Sequence, residues 1–246
     1  MKAMILAAGE GKRMRPHTQH TPKPLLKAGG MTLLERHIVA LREAGIKDIV
    51  VNAAYLAEQI VAFCGDGSRW GIHIDVSVEA EALETAGGII NALPLLGSSP
   101  FILINGDVFC DFPLANFLTQ TAPHQGAHII LVSNPAHNIT GDFALDGQTV
   151  TTLPTTLRKT ATENEVPAQS LTYAGLGIYD PGFFDGYSAG RYPLKPLMDA
   201  AAAKGRLKGS YWQGQWLDVG TPERLAQLDT MLGGEPEGSH LKHESH

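Results

Sequence analysis

Short, nearly unbroken apolar runs alternate with helix-periodic segments through the first half of the chain. Residues 3–8, 49–52, 101–104 and 128–132 read as strands, and His73–Val78 alternates like one. Between them, 32–43 places Leu33, Leu34, His37, Ile38 and Leu41 at helical spacing before Gly45. Residues 55–63, 86–93 (stopped by Pro94) and 113–120 are the other predicted helices. A run such as Phe101-Ile-Leu-Ile104 has no polar face, so it needs cover on both sides. Four strand-helix alternations of this kind predict an α/β fold: a doubly wound, mostly parallel, Rossmann-like sheet. Ligands of such sheets bind beyond the carboxyl ends of the strands. Residues 9–13, 79–88 and 105–107 are polar, glycine-bearing segments that follow strands, so they are expected to converge on one crevice.

The second half changes character. Residues 143–150 predict a hairpin turning at Asp146-Gly147. Residues 151–169 are polar and weakly patterned, a loop or flap, before a strand over 171–179 that contains Gly175 and Gly177. A helix is expected over Leu194–Ala203 and a short strand and turn over 215–220. Thr221-Pro222-Glu223 then starts the last helix, with Thr as cap and Pro in the first turn. Residues 233–246 read as a solvated tail despite His240, His243 and His246. The 246 residues suit one large domain, with no linker between two cores. A net charge of -6 argues against a general nucleic-acid binder. No leader pattern and no apolar run near 18 residues is present, so a cytoplasmic protein without membrane association is expected. No coiled coil or repeat suggests assembly, and a monomer is the expectation. Cys64 and Cys110 lack CxxC spacing and read as buried free thiols.

The first strand runs into Gly9-Glu-Gly-Lys-Arg13, a loop whose two glycines let backbone N–H groups turn toward an anion. Arg13, Arg15 and Lys23 bring positive charge beside it. The third glycine of a dinucleotide loop is missing, no acidic residue ends the second strand, and the Walker spacing is absent. The loop therefore reads as a triphosphate cradle of another kind. Lys23 stands between Pro22 and Pro24, which restrict its backbone on both sides.

Residues 6–16 (LAAGEGKRMRP) followed by Pro22-Lys-Pro-Leu25 closely resemble the signature of sugar-1-phosphate nucleotidyltransferases. The likeness continues in Glu84-Thr-Ala-Gly-Gly88, Asn105-Gly-Asp107, residues 172–177 and Trp216-Leu-Asp-Val-Gly220, and so covers about residues 1–230. It implies a Mg²⁺-dependent enzyme that joins a nucleoside triphosphate, here UTP, to a sugar 1-phosphate and releases pyrophosphate. It implies a nucleotide half over 1–135 and a sugar half over 136–232. The short chain and its ending point within the family to N-acetylmuramate 1-phosphate as acceptor, in cell-wall sugar recycling. Glucose-, mannose- or N-acetylglucosamine-1-phosphate, or a non-catalytic sensing subunit of the same fold, are the alternatives.

The chemistry is in-line attack of an already ionised phosphate oxygen on the α-phosphorus, so catalysis is positioning and cationic stabilisation. Arg13, whose planar fork suits phosphate, and Lys23 are the catalytic candidates. Ala7, Ala8, Gly9, Gly11, Lys12, Arg13, Lys23, Glu79 and Thr85 form the expected nucleotide site, with Glu79 accepting from the base N3–H. Glu84 either contacts the base or holds its loop. Asp107 and Asp218 are the expected metal ligands, since Mg²⁺ commonly takes one or two carboxylates plus phosphate oxygens; Asp111 suits a turn. On the sugar side the resemblance implies Asn105, Gly141, Asp142, Glu163 and Gly175. The family's usual Glu-Lys-Pro element is missing near Glu163, so a lactyl carboxylate would have to be met by Arg158, Lys159, Arg191 or Lys195.

Overall fold

The computed structural model describes residues 1–119, 122–153 and 170–233. Glu163, Arg158, Lys159, most of the predicted 151–169 loop and the three tail histidines lie outside the described residues.

Five strands and three helices build the first layer set: β1 (Ala3–Leu6), α1 (Leu33–Glu43), β4 (Asp48–Ala53), α2 (Ala57–Cys64), β5 (His73–Val78), α3 (Glu84–Leu96), β6 (Phe101–Asn105) and β8 (Ala127–Val132). Small ribbons β2 (Lys27–Ala28), β3 (Met31–Thr32) and β7 (Val108–Cys110) lie between them. The later elements are β9 (Phe143–Asp146), β10 (Thr149–Thr152), β11 (Ser170–Tyr179), α4 (Leu194–Ala203), β12 (Leu207–Tyr211), β13 (Trp216–Asp218) and α5 (Pro222–Met231).

Nine strands form one sheet in the order β5-β4-β1-β6-β11-β8-β12-β10-β9. Strands β5, β4, β1 and β6 are parallel neighbours, as are β8 and β12. Antiparallel β11 enters between β6 and β8, so the sheet is mixed although most strands point one way. Residue alternation explains the two-sided burial. Ala3, Ile5, Ile49, Val51, Ile102 and Ile104 pack with α1 and α2, whereas Met4, Val50, Phe101 and Leu103 pack with α3 and α4. The doubly wound expectation is met. A third cluster, with Met14, Leu33, Val219 and Leu228, ties α5 to the N-terminal loop.

Capping follows the sequence. Thr32 accepts from the Glu35 N–H at 3.1 Å to open α1, and Thr221 accepts from the Arg224 N–H at 3.4 Å to open α5. The 143–150 hairpin turns at Gly147, whose φ of 56° suits the reversal. Three expectations change. Helix α3 continues through Pro94 to Leu96, because Leu96 packs into the second core and the stop falls at Gly97. The helix expected over 113–120 is only a 3-10 turn, Leu114–Leu118, since Leu114 and Phe117 at i, i+3 are its only buried residues. Strand β12 escapes sequence reading because only Leu207 and Gly209 face inward. Cys64 is buried, Cys110 half-buried, and both are free thiols. No helix among the described residues is long and apolar enough to cross a membrane.

Candidate active site

The carboxyl ends of β1, β4, β5 and β6 open on a cavity of about 360 Å³. Of the expected nucleotide residues, Ala7, Ala8, Gly9, Gly11, Lys12, Arg13, Lys23, Glu79 and Thr85 all line it, together with Asn105 and Asp107. Asn52, Glu84, Gly106 and Gly220 complete much of the wall.

At the β1 end, Gly11 has φ 63°, and an added Cβ would lie 3.2 Å from Lys23 Cβ and 3.0 Å from Thr18 Cγ2. The Thr18 hydroxyl donates to the Gly11 carbonyl at 2.8 Å and holds the turn. An added Cβ on Gly9 would meet nothing within 4 Å, so this edge of the loop is open. The cations separate into two kinds. Lys12 and Arg15 both pair with Glu10, at 3.0 and 2.9 Å, and Arg15 does not line the cavity. Arg13 is exposed in the cavity wall and has no ion pair among the described residues.

Glu79 is 4% exposed and fully engaged. Its Oε1 accepts from Asn52 Nδ2 at 2.7 Å and its Oε2 from the Leu83 N–H at 3.0 Å. Asn52 Oδ1 accepts in turn from the Ala7 N–H at 2.7 Å. This chain of bonds crosses β1, β4 and the loop after β5, so it holds this end of the cleft as one unit. It also commits the Ala7 N–H to Asn52. Sequence reading passed over Asn52; a polar residue closing an apolar strand on the ligand side was the available signal.

At the other end, Lys23 is buried in a 3-10 turn and its Nζ lies 2.6 Å from Asp107 Oδ2. β13 pairs antiparallel with β7, setting Asp218 opposite Val108, and the Val219 N–H donates to the Asp107 carbonyl at 2.7 Å. Both metal-candidate carboxylates therefore sit at one end of one ribbon. Asp218 Oδ1 pairs with Arg224 Nη1 and, at 3.1 Å, with His137 Nε2. Neither Arg224 nor His137 was singled out from the sequence. No cluster of three His, Cys, Asp or Glu side chains forms a preformed metal cage among the described residues. Asp107 lines the cavity, whereas Asp218 lies beside it without being part of the wall. Two neighbouring hard-oxygen carboxylates suit a magnesium-like ion, which takes one or two carboxylates and completes its shell with other oxygens. Asp111, expected in a turn, instead accepts from the distant Trp212 Nε1 at 2.7 Å. His37 lies below this ribbon: burial pushes its imidazole down to about 4, against the opposing influence of Asp107 and a hydrogen bond with the Val108 backbone.

The sugar-side candidates divide. Asn105 ends β6, and its buried Oδ1 has no hydrogen-bond partner. Gly175, φ 78°, lies in the register shift of β11 directly against it: an added Cβ would come within 2.9 Å of Asn105 Nδ2. Gly141 and Asp142 are not in the cavity wall. Asp142 accepts from the Tyr173 N–H at 2.9 Å and from Asn138 at 3.3 Å, and thereby anchors β11.

The nucleotidyl transferase family profile matches residues 2–232. The chain belongs to the nucleotidyl transferase family. It is 45% identical over 239 residues to the N-acetylmuramate alpha-1-phosphate uridylyltransferase of Neisseria meningitidis serogroup B, covering 95% of this chain and 99% of that one. It is 30% identical to a mannose-1-phosphate guanylyltransferase catalytic subunit beta of Xenopus tropicalis, over 91% of this chain but 62% of that protein's length. Among solved structures, a Bacillus anthracis protein described as a glucose-1-phosphate thymidylyltransferase, determined with sucrose, superposes with a TM-score of 0.79 at 21% identity. That likeness covers 96% of this chain and all of that one, and speaks to the fold.

Proposed function

We propose that this nucleotidyl transferase moves a uridylyl group from UTP to N-acetylmuramate 1-phosphate, giving UDP-N-acetylmuramate and pyrophosphate. The observation carrying a phosphate-transfer reading is that one cavity is lined by the Lys23–Asp107 pair, by the open Gly9 edge and by Arg13, which has no ion pair among the described residues. The choice of substrates is supported by full-length likeness to the Neisseria enzyme.

The nucleoside triphosphate enters with its base toward Asn52, Glu79 and Thr85 and its phosphates along Gly9–Arg13. Arg13 meets the β- and γ-phosphates and stabilises charge on departing pyrophosphate. Lys23 is pre-oriented between two prolines and serves the α-phosphate, where charge rises in the transition state. Asn105, with its unused carbonyl oxygen, accepts from a sugar hydroxyl beside Gly175. Asp107 and Asp218 would hold a Mg²⁺ ion, which neutralises phosphate oxygens when bound. The acceptor's own phosphate oxygen attacks, so no side chain has to act as nucleophile.

The test is pyrophosphate release with Mg²⁺ and a panel of nucleoside triphosphates and sugar 1-phosphates. Turnover with UTP and N-acetylmuramate 1-phosphate above all other pairs is expected. Preference for mannose 1-phosphate with GTP, or for glucose 1-phosphate, would overturn the substrate assignment; no turnover with any pair would overturn the enzymatic one.

A further inference from the structure

A second cavity, of about 540 Å³, opens on the opposite edge of the sheet from the nucleotide cleft. Strands β8 and β12 begin there side by side, with Leu207 opposite Ala127, while antiparallel β11 ends there at Tyr179. None of its wall residues belongs to the cleft. The volume lies within the range of small-molecule sites, about 300–1,000 Å³. Phe183, Tyr187 and Leu197 supply an apolar wall, and Lys204, Arg206, Asp185 and Gln125 supply polar groups. The Arg206 backbone is fixed from two sides: its N–H donates to the Ala201 carbonyl at 2.9 Å, and its carbonyl accepts from the Ala127 N–H at 3.1 Å. Its side chain is half-buried, with Nε buried and without a hydrogen-bond partner. Neither Arg206 nor Lys204 has an ion pair among the described residues.

The amide of Gln125 keeps opposite charges in this cavity apart. Its Oε1 accepts from Arg206 Nη1 at 2.9 Å, and its Nε2 donates to Asp185 Oδ2 at 3.3 Å. Arg206 and Asp185 therefore share a wall without forming an ion pair. Gln125 does this from φ 50°, a left-handed backbone that glycine adopts freely and a longer side chain adopts at a cost. Gly182 makes room for it, since an added Cβ there would lie 2.9 Å from Gln125 Cγ. Backbone strain that sets a polar side chain in a cavity wall is the kind of strain found at ligand sites. We propose that this cavity is a second binding site, for a small organic acid with a carboxylate at one end, a ring or other apolar body, and a hydroxyl or ammonium donor at the other end. The carboxylate meets Arg206 and Lys204, which only donate, and the donor meets Asp185, which only accepts. The body lies against Phe183, Tyr187 and Leu197. Charge selects a monoanion: two cations and one carboxylate give the wall a net charge of +1, in a chain whose total is -6. The site does not depend on the reaction proposed for the cleft.

The test is calorimetric titration of the whole protein with 4-hydroxybenzoate, which carries all three features, and with benzoate and phenol, each of which lacks one end. 4-Hydroxybenzoate is expected to bind saturably with a Kd of about 1 mM or tighter. Phenol is expected to bind about tenfold or more weakly than that, and benzoate about threefold or more, the losses of a charge-assisted and of a lesser hydrogen bond. Excess UTP should leave the titration unchanged, because the two cavities share no residue. Arg206→Met is expected to weaken 4-hydroxybenzoate by about tenfold or more. Lys204→Met and Asp185→Asn alter exposed side chains, so both should melt like wild type while each weakens binding by about threefold to tenfold. If Arg206→Met lowers the melting temperature, these two exposed variants decide the matter. The proposal is overturned by no saturable binding of 4-hydroxybenzoate up to about 10 mM. It is also overturned by phenol binding as tightly, or by binding unchanged in both Lys204→Met and Asp185→Asn. Displacement by UTP would assign the acid to the nucleotide cleft and would equally overturn it.

Discussion

Gly88→Ala sets a local rule against a tertiary one. Gly88 is an interior residue of α3, and by helix propensity alone alanine there would stabilise the protein by about 0.8–1 kcal/mol. The surroundings say otherwise. A Cβ on residue 88 would lie 2.6 Å from Glu79 Oε1 and 2.7 Å from Asn52 Nδ2. Ordinary contacts begin near 3.4 Å, so both groups would have to retreat by roughly 0.7–0.8 Å. They are ends of side chains, but neither is free to swing, because Glu79 also accepts from Leu83 and Asn52 also from Ala7. The retreat breaks the 2.7 Å bond between them. Losing a buried hydrogen bond to a charged group costs about 1.5–3 kcal/mol. Net of the propensity gain, Gly88→Ala is expected to destabilise by about 1–2 kcal/mol, lowering the melting temperature by roughly 2–8 °C for a chain of this size. Thermal and urea unfolding followed by circular dichroism measure it. A variant as stable as wild type, or more so, would refute the claim that the Asn52–Glu79 unit is rigid.

Three further outcomes are expected. Lys23→Met should lower kcat/KM by about 10²–10³, the scale of one lost phosphate-stabilising contact, while the folded state persists; a loss below tenfold in steady-state pyrophosphate release would remove Lys23 from the reaction. Arg224→Met, which leaves Asp218 with His137 as its neighbour at 3.1 Å, should raise the apparent Mg²⁺ affinity of the protein measured by calorimetry, since Arg224 competes for the same oxygen; unchanged or weaker binding would count against Asp218 as a ligand. His37 is buried with its folded pKa below the unfolded one, so the unfolded chain binds the extra proton. Stability from this group is present above pH 6.5 and is lost as pH falls toward about 4, by up to about 3 kcal/mol. Urea midpoints for wild type and His37→Leu at pH 7 and pH 4.5 should show wild type losing more; parallel losses would refute it.

How much was legible follows from which forces are local. The unbroken run Phe101-Ile-Leu-Ile104 announced a doubly covered strand, and Thr32 and Thr221 announced helix starts, because burial and capping are written in neighbouring residues. The base-to-phosphate half of the site was likewise readable: its residues sit in three loops that the sheet must bring together. Strand β12 was not, since its sequence is polar and its pairing with β8 and β10 is imposed from outside. Asn52, His137 and Arg224 were missed for a related reason. Their roles rest on partners 27, 81 and 6 residues away in sequence, at Glu79, Asp218 and Asp218; Asn52 alone carried a local sign, as a polar residue closing an apolar strand. The side chain of Asp142 is used on the backbone of β11, a contact that its place in the sequence does not announce.

The charges of the cleft explain why its two ends differ. Toward the ends of β4 and β5, Glu79 is met by neutral donors only, an amide and a backbone N–H, and no cation offsets its charge there. At the transfer end each carboxylate already has a cation, Lys23 for Asp107 and Arg224 for Asp218. Those pairs cancel locally, and Arg13 is the cation in the wall with no ion pair among the described residues. In the proposed reaction a triphosphate and a sugar phosphate would bring several negative charges against that guanidinium. Charge of that size in a partly dry cleft needs a further counter-charge. In the proposed reaction a divalent ion held by Asp107 and Asp218 would supply that counter-charge, and Lys23 and Arg224 would then be free to meet phosphate. The ion pairs of the free protein thus support the proposed metal as part of how the site becomes positive only when its substrates arrive.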